Sequence, residues 1–286
     1  MNRLVRILLC LAFLWASLSA NADNSISADS VQTLRPVTSS YSVEYGAAST
    51  LDTYLSPLRY QGSTITLNGS WLKAMRQNPQ RLIMAFDASI GLESQLSPAR
   101  NSRLYDFSLD FSWSMMYRWR PIEHFQVGAG GGAALNIGAL YLARNSNNPV
   151  SARASVDITA NAMASYSLHI GRLPVRLIDR VSMPVVGAFF SPEYGETYYE
   201  IYLGNHAGLA HCGWWGNHFR IDNLLAADIS LGTVALRVGY HLDFSSGKVH
   251  DIVTRHTTHS LVIGLTHDSL NITGLDKSQN IIPAIY

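Results

Sequence analysis

The sequence is short of charge, of cysteine and of long apolar runs, and each shortage excludes a class of protein. Charged residues make up 14% of the 286 positions, with 21 Lys+Arg against 20 Asp+Glu. A formal charge of +1 cannot neutralise a phosphate backbone, so we expect no nucleic-acid partner. A disordered chain would have fewer apolar residues than the 47% found here. Beyond residue 22 no run of eighteen apolar residues occurs, which excludes a helical membrane span.

The N-terminus has the order of a secretory signal peptide. Arg3 and Arg6 are basic, the stretch 7–18 is almost continuously apolar, and Ala20-Asn21-Ala22 is a small-residue cleavage site. The apolar run is shorter than the roughly 20 residues of a spanning helix, which argues against the alternative of a membrane anchor. Cleavage after Ala22 is therefore expected. The predicted segments are a signal peptide (1–22), an N-terminal linker (23–39) and an exported folded region (40–286).

Cysteine is too scarce for a disulfide or a cysteine-based metal site. Cys10 leaves with the signal peptide, so Cys212 is the one cysteine of the exported chain. A single thiol cannot close an intrachain disulfide, and one thiolate beside His211 is weak evidence for zinc. We expect Cys212 to be a small residue in an apolar strand, and we predict neither a bound metal nor a cofactor.

What the exported chain has in abundance is alternation. Between Leu104 and Trp119, apolar or aromatic side chains occupy every odd position, and Asp, Ser and Arg occupy most even positions. Helical spacing would scatter the aromatics around the axis, whereas a strand places them on one face. The region 151–170 repeats the pattern over twenty residues, although strands of soluble sheets average about five or six. Tilted strands that cross a membrane reach such lengths.

Weaker alternation and turn signals complete the predicted sheet. Asn78-Pro79, Ser191-Pro192 and Ser245-Ser246-Gly247 are among the predicted turns. With 208–214 as an additional candidate, the predicted strands are 41–46, 63–73, 81–93, 104–119, 125–141, 151–170, 174–190, 197–203, 219–230, 234–243 and 257–266.

A sheet with one apolar and one polar face could form a soluble sandwich or a lipocalin-like barrel, or it could span a membrane. Tyr105 lies near one end of the 104–119 strand and Tyr117 and Trp119 near the other, which is typical of the aromatic girdles at lipid interfaces. Closure also satisfies every backbone N–H and C=O, which lipid cannot do. We therefore predict an all-β fold, a transmembrane antiparallel up-and-down β-barrel of about twelve strands, within a range of about ten to fourteen. A tail over 268–286 is expected to lie outside the strands.

Several longer sequence segments resemble those of a known family. They are Asp52–Leu58, Arg144–Pro149, Gly187–Gly195, Tyr198–Ile201 and Trp215–Phe219. These segments resemble the motifs of an outer-membrane barrel family from Bacteroidota that is catalogued as a domain of unknown function. The resemblance spans about Tyr41 to Thr266 and implies an outer-membrane barrel without naming an activity. Members tend to end on an aromatic residue soon after the equivalent of Leu265, whereas this chain continues to Tyr286. Tyr286 is aromatic too and is a candidate signal for the barrel-assembly machinery.

Histidines near the C-terminal third suggest one candidate catalytic site. His206, His211 and His218 lie close in sequence to Glu200 and Asn217. A strand-borne His can act as a general base near neutral pH, and a triad would use His218 as base, Asn217 as orienter and an unidentified Ser as nucleophile.

The alternative for these histidines, which we favour, is an interfacial loop shared with Trp214-Trp215. No Ser lies beside the histidines in sequence, and no G-x-S-x-G motif occurs. The unequal intervals between them do not repeat a metal-ligand spacing.

Glycines cluster at 128, 130, 131 and 132, and no Lys-Ser/Thr pair follows them as in a phosphate-binding loop. Inside a strand, such a cluster marks a coiled corner or a close approach of another chain segment.

Charges on the polar faces belong in the lumen if the barrel prediction holds. They comprise eight acids and four arginines, namely Asp87, Glu93, Asp106, Asp110, Asp157, Asp222, Asp228, Asp243, Arg118, Arg153, Arg220 and Arg237. Mixed signs in a narrow tube tend to pair. The expected interior is therefore a salt-bridged plug rather than a wide diffusion channel.

The sequence favours an outer-membrane barrel that is a structural or small-solute and lipid-handling component of the envelope. Its expected partners are outer-membrane lipid and the barrel-assembly machinery. The alternative is an outer-membrane lipid hydrolase, a phospholipid or lipopolysaccharide deacylase, with His206 or His218 as its base.

Overall fold

The computed structural model describes residues 34–146, 148–192, 198, 201, 203–204, 208–269 and 282–284. These residues form one antiparallel sheet. Its strands are β1 (Val37–Asp52), β2 (Ser56–Ala74), β3 (Leu82–Leu96), β4 (Arg103–Ile122), β5 (Phe125–Leu142), β6 (Val150–Ile170), β7 (Leu173–Phe190), β8 (Ala210–Trp214), β9 (His218–Ser230), β10 (Ala235–Val249) and β11 (Ile252–Ser269). The predicted signal peptide and most of the predicted linker lie outside the described residues.

The sheet closes on itself into a barrel. Strands that are consecutive in sequence pair with each other, except β8 and β9, which both pair with β7. The ring is completed by β1 and β11, which pair along the whole length of β1, from Val37 opposite Ser269 to Asp52 opposite Thr254. The antiparallel up-and-down topology predicted from the alternation is confirmed.

β8 and β9 lie end to end against β7. β8 pairs with the part of β7 from Val186 to Phe190, and β9 pairs with the part from Val175 to Ser182. The chain leaves the sheet between them over 215–217. The described part of the chain therefore forms a ring of ten long strands plus one short strand that extends the line of β9, close to the predicted count.

Two local predictions are wrong. Ser245-Ser246-Gly247 lies within β10, and the chain turns at His250 instead. Within the predicted strand 197–203, the described residues Tyr198 and Ile201 have helical backbone conformation. Small polar residues such as those at 245–247 are compatible with the end of a strand as well as with a turn, so they did not identify the turn.

The two faces of the barrel differ sharply. Phe107 and Phe111 of β4 are 37% and 39% exposed on the outside, whereas their neighbour Asp106 is 3% exposed on the inside. The outer surface carries aliphatic residues between two sets of aromatic contacts. One set includes Tyr41 with Trp71, and the other, near the opposite end, includes Tyr105 with Tyr141. This is the arrangement that a lipid-facing barrel requires. Within the described residues no helix is long and apolar enough to cross a membrane.

The two ends of the barrel can be told apart by the chain termini. Val37 and Ser269 lie at one end, the terminus end, together with the short turns after β4 and β6. Ser191 and Leu209, which lie between β7 and β8 and share a backbone hydrogen bond of 3.0 Å, are at the other end, the loop end. A cluster of buried apolar side chains lies near the terminus end, and its members are Leu72, Ile83, Ala85, Met116, Met163, Ile178 and Ala284. A second apolar cluster lies near the loop end, formed by Leu55, Tyr60, Leu104, Leu140 and Leu142.

Candidate functional site

The middle of the lumen is a dense set of charged side chains. All twelve charges predicted to point inward do so, because each has the inward parity of its strand. We define the central lumen network as Glu44, Asp87, Glu93, Asp106, Asp110, Arg153, Asp157, Arg180, His218, Arg220, Asp222, His241, Asp243 and His256. Cavities of about 160 Å³ lie beside it, one at the centre and one toward the loop end.

Five members of the network were absent from the predicted set of lumen charges. Glu44 and Arg180 lie in strands whose alternation is less regular, and His256 precedes the predicted start of its strand. His218 and His241 lie in β9 and β10, and the predicted set contained only Asp, Glu and Arg. The usable signal was the parity of each strand, extended by a few residues beyond its clearest segment.

Arg220 links three strands across the lumen. Its guanidinium donates to Asp110 Oδ1 at 2.9 Å and to Asp243 Oδ1 and Oδ2 at 3.2 and 2.5 Å. It also donates to the side-chain oxygen of Asn136. A planar guanidinium can satisfy several acceptors at once, so Arg220 ties β9 to β4, β5 and β10.

Arg180 and His241 form the next layer toward the terminus end. Arg180 donates to both carboxylate oxygens of Asp87 at 2.8 Å. His241 lies between two carboxylates, with Nδ1 at 2.6 Å from Glu44 Oε2 and Nε2 at 3.0 Å from Asp222 Oδ2. An imidazole has a donor for both contacts only when both of its nitrogens carry a proton.

A different arrangement surrounds His256, nearer the loop end. Its Nε2 lies 2.9 Å from Glu93 Oε1 and 3.8 Å from Asp106 Oδ2. The other oxygen of each carboxylate already has a donor, since Arg153 binds Asp106 Oδ1 and Gln95 Nε2 lies 2.6 Å from Glu93 Oε2. Here both carboxylates converge on the same ring nitrogen.

The predicted catalytic residues are only partly brought together. His206 lies outside the described residues. His211 Nε2 is 3.0 Å from the carbonyl oxygen of Ser191. Asn217 accepts from the backbone N–H of Trp214 and donates to the carbonyl of Cys212, so its amide closes the turn between β8 and β9 and does not orient His218.

His218 instead has an acidic partner that the sequence reasoning did not identify. Its Nε2 lies 3.3 Å from Asp157 Oδ1, and its ring stacks on Phe189 at 4.7 Å between centroids. Ser155 Oγ donates to Asp157 Oδ2 at 2.7 Å. The carboxylate therefore lies between hydroxyl and imidazole, whereas in a hydrolytic triad the imidazole lies between the other two groups.

The two tryptophans of the predicted interfacial loop are both exposed. Trp214 and Trp215 are 61% and 55% exposed, and the indole N–H of Trp215 donates to the carbonyl of Pro184. The free thiol of Cys212 is exposed in β8.

A C-terminal segment, 282–284, enters the terminus end of the lumen. Arg118 Nη1 donates to the carbonyls of Pro283 and Ala284 at 2.9 and 2.7 Å. The same side chain donates to the carbonyls of Gln80 and Pro79 at 2.9 and 2.7 Å. Arg118 is 2% exposed and Ala284 is fully buried. The predicted tail therefore contributes to the interior of the barrel.

Aromatic side chains cover the loop end. Tyr198 lies 6.0 Å from Tyr54 and 6.5 Å from Phe190 between ring centroids, and its hydroxyl accepts the backbone N–H of Ala152. Burial raises the pKa of Tyr198 to about 12. This phenol therefore stays neutral and packs against Tyr54 and Phe190.

The glycine cluster in β5 marks a close approach of two backbones. A Cβ on Gly130 would lie 2.0 Å from the carbonyl oxygen of Met115 on β4. A Cβ on Gly131, which has the opposite parity, would lie 3.5 Å from the nearest atom, the carbonyl oxygen of Thr159. Tight backbone contact accounts for the glycine at position 130.

Comparison with solved structures finds other barrels at very low sequence identity. The outer membrane protease OmpT from Escherichia coli is 8% identical, with a TM-score of 0.48 and coverage of 86% of this chain and 99% of that chain. The translocator domain of the autotransporter NalP from Neisseria meningitidis is 7% identical, with a TM-score of 0.39 and coverage of 90% and 94%. The transport unit of the autotransporter AIDA-I from Escherichia coli is 7% identical, with a TM-score of 0.38 and coverage of 89% and 97%.

No curated protein matches the chain. A family model does match, over residues 5–275, and thus covers every strand of the barrel. The sequence segments predicted a barrel family without an assigned activity, and this prediction is confirmed. The chain belongs to the family described as "Protein of unknown function (DUF3316)".

Proposed function

We propose that this protein is an outer-membrane barrel with a closed lumen, a structural and lipid-facing component of the envelope that does not conduct solutes. The observation that carries this proposal is the filling of the lumen. Paired charges cross its centre, and apolar clusters lie at both ends. Arg220 and Arg180 each bridge strands on different sides of the barrel. These bridges interrupt any continuous column of water through the lumen, so no moving loop is needed to close it.

Planar-bilayer recording tests this proposal directly. The folded chain, purified in detergent and reconstituted, is expected to leave the bilayer silent. The variant Arg118→Met, which weakens the docking of the 282–284 segment, is expected to be silent too, because the charged network still crosses the lumen. Flotation with liposomes controls for insertion. A steady conductance from the unmodified chain contradicts the proposal.

Outer-membrane location and a cleaved leader belong to the same proposal. The lipid-facing outer surface and the predicted signal support it. Cell fractionation and intact mass measurement are expected to find the protein in the outer membrane with Asp23 as its first residue. A chain that keeps its first 22 residues would contradict the predicted cleavage.

For the barrel-assembly machinery we propose β11 as the recognised segment. β11 pairs with β1 over its full length, whereas residues 282–284 lie inside the lumen end. A chain truncated after Ser269 is therefore expected to assemble, as judged by heat-modifiable gel mobility, and a chain truncated within β11 is not.

A lipid acyl hydrolase is the second candidate, and the Asp157–His218 pair is the observation in its favour. Both side chains lie on the lumen side of the wall, away from the bilayer that surrounds it. Incubation with labelled phospholipid and lipopolysaccharide tests the activity, with His218→Gln as the matched variant. Acyl chains released by the unmodified chain but not by this variant support the hydrolase; if none are released, the activity is rejected.

A further inference from the structure

We propose that Glu93, Asp106 and His256 form a binding site for a divalent transition-metal cation inside the lumen, with Zn²⁺ as the probe that tests it. One ligand atom from each of the three residues lies within 4.8 Å of the other two. The three side chains come from β3, β4 and β11, so only the closed barrel brings them together.

The free oxygens of the two carboxylates are already aimed at one point. Arg153 binds Asp106 through Oδ1, and Gln95 binds Glu93 through Oε2. Asp106 Oδ2 and Glu93 Oε1 are left facing His256 Nε2. In metal sites, donors that bind the ligand side chains in this way fix the orientation of those ligands.

Asp106 supplies an independent sign of a missing ligand. Its side chain is 2% exposed, and Oδ2 has no hydrogen-bond partner among the described residues. A buried carboxylate oxygen without a donor is costly. A bound cation would satisfy this oxygen.

The distances suit a small cation. Ligand atoms about 2.0 to 2.2 Å from a tetrahedral zinc ion are separated by about 3.4 Å. The two distances from His256 Nε2, 2.9 Å to Glu93 and 3.8 Å to Asp106, lie on either side of that value. A change of about 0.5 Å in each of these two distances would bring both of them to that separation.

The choice of ligand atoms selects the class of metal. One imidazole nitrogen and two carboxylate oxygens, without a thiolate, suit zinc and its first-row neighbours. Calcium and magnesium take all-oxygen shells of six or more ligands, which three protein groups here do not provide. The fourth and further coordination positions open toward the lumen cavities that His256 lines.

The surrounding charge favours a cation as well. Within the described central lumen network, carboxylates outnumber arginines by eight to three. The carboxylates are Glu44, Asp87, Glu93, Asp106, Asp110, Asp157, Asp222 and Asp243, and the arginines are Arg153, Arg180 and Arg220. A low-dielectric wall strengthens this field inside the barrel.

Zinc binding to the tag-free, chelator-stripped chain in detergent tests the site. A Cys212→Ser background removes the exposed thiol. We expect one Zn²⁺ per chain by calorimetry and by competition with a chromophoric chelator. His256→Gln and Glu93→Gln are each expected to weaken zinc binding by about 100-fold or more. Gln95→Met, which removes the donor to the Glu93 carboxylate but no ligand, is expected to weaken it by about 10- to 100-fold.

The matched control is His241→Gln. His241 also has two carboxylate partners in the lumen, but they lie on opposite ring nitrogens and cannot share one ion. Affinity is expected to stay within about threefold of the unmodified chain, and heat-modifiable gel mobility reports that every variant is folded.

Two results would overturn the proposal: no stoichiometric zinc in the folded, unmodified chain, or an equal loss of affinity in His241→Gln and His256→Gln. Failure here is distinct from failure of the proposed function. A silent bilayer without bound zinc refutes only the metal site, whereas a conducting chain that binds zinc refutes only the closed lumen.

Discussion

Arg118→Met is expected to release the C-terminal segment from the lumen. The arginine donates to four carbonyls, two in the segment and two in the turn after β2, from Pro283, Ala284, Pro79 and Gln80. Methionine has a similar length and is apolar, but it has no hydrogen-bond donor. The substitution therefore removes hydrogen bonds with little change in packing.

The magnitude follows from the two bonds that reach the segment. A hydrogen bond from a charged group contributes about 1.5 to 3 kcal/mol net, so docking is weakened by about 3 to 6 kcal/mol. That free energy corresponds to an increase of about 10² to 10⁴ in the ratio of released to docked segment. Two neutral bonds remain, from Gln126 to Ala284 O at 3.3 Å and from the backbone N–H of Ile282 to Leu34 O at 2.8 Å.

Thiol labelling measures this release. Position 284 is fully buried, so Ala284→Cys in a Cys212→Ser background reports each opening by its reaction with maleimide. Arg118→Met is expected to raise the labelling rate at least about 100-fold. Gln126→Leu, which removes one neutral bond of about 1 kcal/mol, serves as the control and is expected to raise it about fivefold.

The reasoning is refuted if Ala284→Cys reacts at the rate of an unfolded chain while Arg118 is intact. It is also refuted if Arg118→Met leaves the rate unchanged in a chain whose gel mobility shows a folded barrel.

Three further predictions concern the barrel wall and interior and are tested by urea unfolding. Leu261→Arg, midway along β11 and 68% exposed to the outside, is expected to lower the free energy of unfolding in lipid by about 2 to 4 kcal/mol. Its control, Leu231→Arg, is 64% exposed in a turn and is expected to lower it by less than about 1 kcal/mol. Equal losses would contradict a lipid-facing wall. Arg237→Leu removes a bidentate guanidinium, with donor distances of 2.7 and 2.8 Å, and leaves its buried carboxylate partner unpaired, which is expected to cost about 3 to 5 kcal/mol; an unchanged midpoint would show that the lost pairing is compensated. Gly130→Ala places a Cβ against the backbone of β4 and is expected to lower the free energy of unfolding by about 1 to 3 kcal/mol or more, while Gly131→Ala is expected to be nearly neutral. The reverse order would contradict the close approach of β4 and β5.

Much of the wall could be read from residue order, because alternation is a local property. Ten of the eleven predicted strand regions, and the additional candidate at 208–214, lie on described strands. In β4, the parity of one aromatic such as Phe107 assigns every other side chain to a face. The same parity placed Asp106 and Asp157 inside before any contact was known. Strand ends were less certain, since Ser and Gly at 245–247 occur in turns and in strands alike.

The lumen contacts could not be read in the same way. His256 and Glu93 are 163 positions apart in sequence, and the contact between them depends on how the ring closes and on the register of β11 against β1. The sequence-based search for chemistry favoured histidines close together along the chain, His206, His211 and His218. Barrel closure instead groups side chains by their height along the axis, irrespective of their distance in sequence.

Residue order alone was therefore enough for the strand period and for which face of each strand is polar, since these depend on neighbours one or two positions away. Tertiary structure decided which charges pair, where Arg118 finds its acceptors and that the 282–284 segment turns into the barrel. Those outcomes depend on the curvature and stagger of the closed sheet, and each is the sum of many weak register preferences that no single stretch of sequence contains.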